Sequence, residues 1–147
     1  MLPHKILVLA EPYPGRLSSA RVASAIARGL RTTATYDVEC HPREDPQTSA
    51  TDPLPAAAPA RSLDSLPLAQ ARAVVLADDA LGDGSPPQRA IFEIATRARQ
   101  GGIPAYAVSG VRRPDLFQAR MLDLQVVLYA RGERALARAG EELGALV

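Results

Sequence analysis

One stretch constrains the fold of this chain more than any other. Lys5 to Leu30, KILVLAEPYPGRLSSARVASAIARGL, reads as strand, loop and helix. Lys5 to Ala10 is a short apolar run of the kind buried on both faces of a parallel sheet. Glu11-Pro-Tyr-Pro-Gly15 continues neither a strand nor a helix, because two prolines and a glycine break both. Ser18 or Ser19 can then cap a helix whose apolar positions Val22, Ala25, Ile26 and Leu30 recur at helical spacing. Gly29 weakens its last turn.

The same alternation continues along the chain. Thr35 to Cys40 reads as a second strand, Ala73 to Ala77 as a third, Pro104 to Val108 as a fourth and Gln125 to Tyr129 as a fifth. Helices are expected over Gln88 to Gln100, Pro114 to Met121 and Glu133 to Leu146. The exception is His41 to Pro67, rich in proline and alanine, which reads as a loop or linker with a short helical turn over Ser62 to Gln70. Strands alternating with helices imply right-handed crossovers. The expectation is a three-layer α/β/α sandwich spanning 1–147 as one domain. Its five-stranded parallel sheet would be flavodoxin-like or Rossmann-like, in the order 2-1-3-4-5.

Such sheets bind ligands outside the carboxyl ends of their strands, at the switch point between strands 1 and 3. That rule selects Glu11, Asp78, Asp79, the Gly82–Ser85 loop, Ser109 and Gly110. Glu11, Asp78 and Asp79 can share a hard divalent cation, or they are simply solvated or loop-capping acids. Gly82, Gly84 and Ser85, with Arg89 one turn into the helix, can cradle an anion on backbone N–H groups, although this glycine pattern is also ordinary strand-to-helix turn chemistry.

Charge and cysteine content bound the partners. A net charge of +1 gives no reason to expect nucleic acid or a membrane surface. Lys5 is the only lysine, so no lysine beyond the first strand can act as a catalytic amine or phosphate clamp. The single cysteine, Cys40, forms no internal disulfide, and no apolar run approaches the roughly 20 residues that span a bilayer. No signal peptide is visible, and a cytoplasmic location is expected. Cys40 reads as a small buried hydrophobe, His4 and His41 as surface residues, and Arg112-Arg113 as a solvated pair.

Several of these segments resemble the bacterial glycerate kinases. Lys5, Ile6, Gly15, Leu17, Ser18, Ala25, Ile26, Gly29 and Leu30 coincide with that family's opening K-I-V-I-A-P-D-S-F-K-G-S-L-S and the helix that follows it. Val74 to Ala98, Gly102 to Gly110 and Leu124 to Tyr129 follow in the family's order. The resemblance implies a miniature relative without the inserted second domain, which would fall in the 41–67 segment. It also implies damaged chemistry. Pro14 stands at the family's lysine, Ala80 at an arginine and Gly82 at an aspartate, groups on which phosphoryl transfer depends. The expected protein is therefore a degenerate glycerate-kinase-like domain that binds a small anionic metabolite or a protein partner at the carboxyl edge, with Gly15 and Ser18 among its ligand contacts. ATP and Mg²⁺ would be cofactors only if kinase activity survives, with a homodimer mate then closing the cleft. A rival resemblance is to phospho-receiver domains, which carry acids after strand 1, an acceptor aspartate after strand 3, Ser or Thr after strand 4 and lysine after strand 5. Glu11, Asp78, Ser109 and Arg131 stand near those places, the last as arginine.

Overall fold

The computed structural model describes residues 3–43, 66–83, 88–112 and 116–147. Five strands form one parallel sheet: β1 (Lys5–Ala10), β2 (Asp37–Pro42), β3 (Ala71–Asp78), β4 (Ala105–Ser109) and β5 (Leu124–Tyr129), in the order β2-β1-β3-β4-β5. The helices among the described residues are α1 (Ser19–Thr33), α2 (Arg89–Gln100), α3 (Leu116–Met121) and α4 (Glu133–Leu146). The doubly wound topology is the one expected.

The apolar run of β1 works because side chains alternate across a strand. Ile6, Val8 and Ala10 pack with Val22, Ile26, Leu30, Leu136 and Leu143 of α1 and α4. Leu9 packs the opposite way, with Leu76 and with Ala90, Ile91, Ile94 and Ala95 of α2. Both faces are covered, and the central strands are buried along almost their whole length.

Boundaries move for identifiable reasons. Ser18 is the N-cap of α1, its hydroxyl accepting from the N–H of Arg21 at 3.3 Å. β2 runs to Pro42, two residues past the expected end at Cys40. Its proline is tolerated because β2 lies at the sheet edge, where one side of the strand needs no ladder donor. His41 is therefore part of the sheet rather than the first residue of a loop. β3 takes in Asp78 and β4 takes in Ser109, so both polar residues end strands. Of the expected turn over Ser62 to Gln70, Leu68–Gln70 forms a 3₁₀ turn; 62–65, like the rest of 44–65, lie outside the described residues.

Gly29 is not a weak spot in α1, which continues past it to Thr33. It is the point where α4 comes closest. A Cβ there would fall on the carbonyl oxygen of Ala137 and lie 2.7 Å from the nitrogen of Glu141. Gly140 repays the contact from the other side, since its Cβ would fall on the carbonyl of Ile26. Thr33 then locks the pair by donating its hydroxyl to the carbonyl of Glu141 at 2.7 Å.

This contact decides the sign of a substitution. Helix propensity alone makes Gly29→Ala stabilising by about 1 kcal/mol. Overpacking costs about 1–3 kcal/mol and here acts against backbone, which cannot swing aside. We expect Gly29→Ala to lower the thermal midpoint by several degrees, with Arg28→Ala, on the exposed side of the same turn, nearly neutral. An unchanged or raised midpoint for Gly29→Ala would show that the helices are not in close contact.

Candidate functional site

The carboxyl ends of the strands gather most of the buried polar groups. Glu11, Asp78 and Ser109 are buried, at 7%, 5% and 0% exposure, directly after β1, at the end of β3 and at the end of β4. Register places Asp78 opposite Ser109 across the β3–β4 pair, and the N–H of Glu11 donates to the carbonyl of Ala77 at 2.9 Å. The three residues thus sit on adjacent strands. Arg131 follows β5, and Arg43 follows β2 with its N–H on the carbonyl of Ala10 at 2.9 Å.

Each residue has a distinct environment. Burial pushes the Glu11 carboxyl up from its ordinary value; nearby Arg43 pulls it back down and Asp78 adds a further rise. The Arg43 Nε lies 3.2 Å from Glu11 Oε1. Asp78 is likewise raised, chiefly by burial. The backbone N–H groups of Ala80, at 3.2 Å, and Gln88 oppose that shift by donating to its carboxylate. Asp79 is half-buried and lies over β4: a Cβ at Gly110 would fall on its Oδ1 and lie 2.6 Å from its carbonyl oxygen, which is why glycine follows Ser109. The Arg131 Nε stands 4.0 Å from Asp79 Oδ1, too far for a hydrogen bond.

Ser109 is committed to the fold. Its hydroxyl donates to the carbonyl of Leu81 and accepts from the N–H of Val111 at 3.1 Å. Gly82 adopts φ +92°, and its N–H donates to Oε1 of buried Gln118 on α3 at 2.7 Å. The loop after β3 is therefore tied to β4 and to α3.

Other expected site residues have structural work elsewhere. Gly15, with φ +72°, serves the tight turn in which Tyr13 and Leu17 exchange backbone hydrogen bonds at 2.9 Å. Ser18 caps α1. Arg89 is exposed and pairs with Glu93 of its own helix, Nε to Oε1 at 2.9 Å. Gly84 and Ser85 lie outside the described residues. Among the described residues no group of three or more His, Cys, Asp or Glu is arranged to hold a metal ion, so Glu11, Asp78 and Asp79 do not form one.

Residues the sequence reading passed over complete the edge. Tyr13 is fully buried, held in the core by its turn, and burial with the charges of Asp79 and Asp78 drives its hydroxyl far above the usual phenol range. His41 is buried rather than on the surface, with Nε2 2.8 Å from Glu39 Oε1. Among the described residues, five buried side-chain atoms lack a hydrogen-bond partner: Glu11 Oε1, Tyr13 OH, His41 Nδ1, Asp79 Oδ1 and Arg131 Nε. All five residues lie at or just past the carboxyl end of a strand. Of the remaining expectations, Cys40 is half-buried with Sγ 3.7 Å from the carbonyl of Ala23, and Arg112 stacks 5.6 Å from the ring centre of Tyr129.

Comparison with known proteins places the fold. No protein-family model matches the chain, and no curated protein does. Among the solved structures to which the chain is similar, two are matched over almost the full length. One is a response regulator protein from Burkholderia multivorans, at 14% identity and a TM-score of 0.50, covering 97% of this chain and 95% of that one. The other is the Mn²⁺-bound form of response regulator Rcp1, at 16% identity and a TM-score of 0.52, covering 96% of this chain and 91% of that one. At such identity the likeness establishes the fold: a five-stranded flavodoxin-like sheet shared with response regulators. It overturns the glycerate kinase resemblance, and with it the reading of a degenerate glycerate-kinase-like domain. The matching residues of that resemblance explain themselves as fold residues: Ala25, Ile26 and Leu30 are core, Gly29 is a helix contact, Gly15 a turn and Ser18 a cap.

The raised carboxyls give a pH prediction. An acid whose folded pKa is raised binds its proton more tightly when folded, so the stability it contributes is complete below its unfolded value and is lost as pH rises through the folded one. In Asp78→Asn this loss disappears, while the amide oxygen still accepts from the N–H groups of Ala80 and Gln88. We expect the variant to match the parent in acidic buffer and to exceed it at neutral pH in thermal unfolding. An equal difference at both pH values would show that Asp78 carries no such burial cost.

Proposed function

We propose that this chain is a receiver-like signalling module. Its carboxyl edge takes an input as a phosphoryl group on Asp78, and a protein partner reads the result. The observation that supports this is the convergence of Glu11, Asp78 and Ser109 on adjacent strand ends, with Arg131 after β5. A carboxylate offers about four lone-pair sites, and Asp78 spends two of them on Ala80 and Gln88. The rest are available to attack phosphorus in a small phosphodonor such as acetyl phosphate. The new bond joins an Asp78 oxygen to phosphorus, the bond from phosphorus to the acetyl oxygen breaks, and acetate leaves with the electron pair.

The likeness to a Mn²⁺-bound response regulator raises the question of a resident cation. Glu11 and Asp79 each keep one buried oxygen without a hydrogen bond, as metal ligands would. Each of those oxygens faces a guanidinium instead, Arg43 and Arg131, and no three-donor group exists among the described residues. The described residues do not fit a resident divalent ion, and positive charge at this edge comes from arginine. For the response, Phe117 and Met121 on α3 and Tyr129 on β5 are exposed large hydrophobic side chains of the kind protein partners cover. No helix among the described residues is long and apolar enough to cross a membrane.

The test is intact-mass spectrometry after incubation with acetyl phosphate in buffer containing Mg²⁺, so that any cation taken up with the donor is supplied. A gain of one phosphoryl group that vanishes in Asp78→Asn is the expected result. An unlabelled parent protein overturns the phosphoryl input; labelling that survives in Asp78→Asn moves the acceptor elsewhere.

A further inference from the structure

A phosphoryl group at this edge needs hydrogen-bond donors, and few are free to serve. Lys5, the only lysine, starts β1 at the opposite end of the sheet and is held by Glu39 at 3.0 Å. The Ser109 hydroxyl is spent on the carbonyl of Leu81. Arg43 is drawn to Glu11. Among the described residues, two buried donors at this edge make no hydrogen bond: the hydroxyl of Tyr13, which feels the charges of Asp79 and Asp78, and the Nε–H of Arg131, which stands 4.0 Å from Asp79.

Tyr13 is the more informative of the two. Its ring is wholly buried and anchored by the turn that Gly15 closes, so the hydroxyl cannot swing out to water. A buried hydroxyl without a partner costs about 1–3 kcal/mol. A phenylalanine would fill the same space without that cost. The neighbouring ion pair between Arg131 Nε and Asp79 Oδ1, at 4.0 Å, carries no hydrogen bond, so the Nε–H keeps its donor capacity for an entering group. A tetrahedral oxyanion presents several acceptor oxygens, and one O–H and one N–H are the kinds of donor it takes.

We propose that the Tyr13 hydroxyl and the Arg131 Nε–H form an oxyanion-holding pair for the phosphoryl group carried by the edge. At this edge no lysine is present and no metal-holding group exists among the described residues, so these two donors supply the contacts. This rests on the phosphoryl-input reading above and names the residues that hold the group.

The test uses beryllofluoride, a phosphoryl mimic that binds carboxylates without covalent turnover, titrated into the full chain in Mg²⁺ buffer and followed by ¹⁹F NMR. The parent is expected to bind. Tyr13→Phe and Arg131→Gln should each weaken binding about tenfold or more, the loss expected for one hydrogen bond to a charged group. Tyr36→Phe, whose ring lies under Arg72 away from the edge, should bind as the parent does. Unliganded Tyr13→Phe should be at least as heat-stable as the parent, whereas a structural hydroxyl would leave it weaker. Parent-like binding by both Tyr13→Phe and Arg131→Gln overturns the pair and leaves the phosphoryl input standing. No binding by the parent overturns the input itself, a separate outcome. If Tyr13→Phe fails to fold, the hydroxyl is structural and its part in the pair is withdrawn, while Arg131→Gln still tests the arginine.

Discussion

The pairing of β1 with β3 is the constraint on which the rest depends. Past their opening residues, Lys5 in β1 and Ala71-Arg72 in β3, both strands are apolar on both faces, and neither carries another polar side chain until its carboxyl end. Glu11 and Asp78 stand at those ends, one residue past β1 and the last of β3. Parallel pairing in register brings the two ends level, with Ala10 opposite Ala77. Carboxylates forced together under partial burial repel each other, which is why Glu11 is raised by Asp78 as well as by desolvation. Between the charged amino ends and this edge, the buried middle of each strand carries apolar side chains alone. The edge's unpartnered atoms, among the described residues, belong to the ends of four strands, β1, β2, β3 and β5.

The second requirement is that helices cover the sheet closely enough to keep those strands dry. On one face this is achieved by small residues. Gly29 on α1 faces α4, and Gly140 and Gly144 on α4 face α1, so that the two backbones nearly touch. Close approach brings Leu136 and Leu143 down onto the same layer as Val22 and Ile26. Bulkier residues there would lift α4 off the sheet and admit water toward the β4–β5 side.

Much of this was legible in the sequence. Period-two and helical apolar patterns gave all five strands and the helices, and the topology followed from their alternation. The edge acids were legible because each directly follows an apolar run. What escaped was decided by tertiary context. His41 and Arg43 were hidden because Pro42 reads as a strand breaker, and only an edge position excuses it. Tyr13 was hidden because prolines on both sides suggest a surface loop, whereas the turn they help to form pins the ring inward. Gln118 sits in a six-residue helix whose polar face gives no sign that Gly82 will reach it. Gly29 was read as a weakness from propensity, a scale that knows nothing of the neighbouring helix.

The false kinase resemblance has the same root. A strand, a glycine turn, a serine cap and an Ala-Ile-Ala-x-Gly-Leu helix answer one physical problem: passing from a buried parallel strand to a helix packed over it. Chains that solve it alike will match at those positions whatever chemistry they carry. The informative residues are those the fold does not require. A fully buried tyrosine hydroxyl and an arginine Nε that make no hydrogen bond among the described residues do nothing for packing, and each is a cost in the absence of something to bind. Because the fold alone would select against them, they weigh more heavily on function than the nine coincident positions in the first stretch.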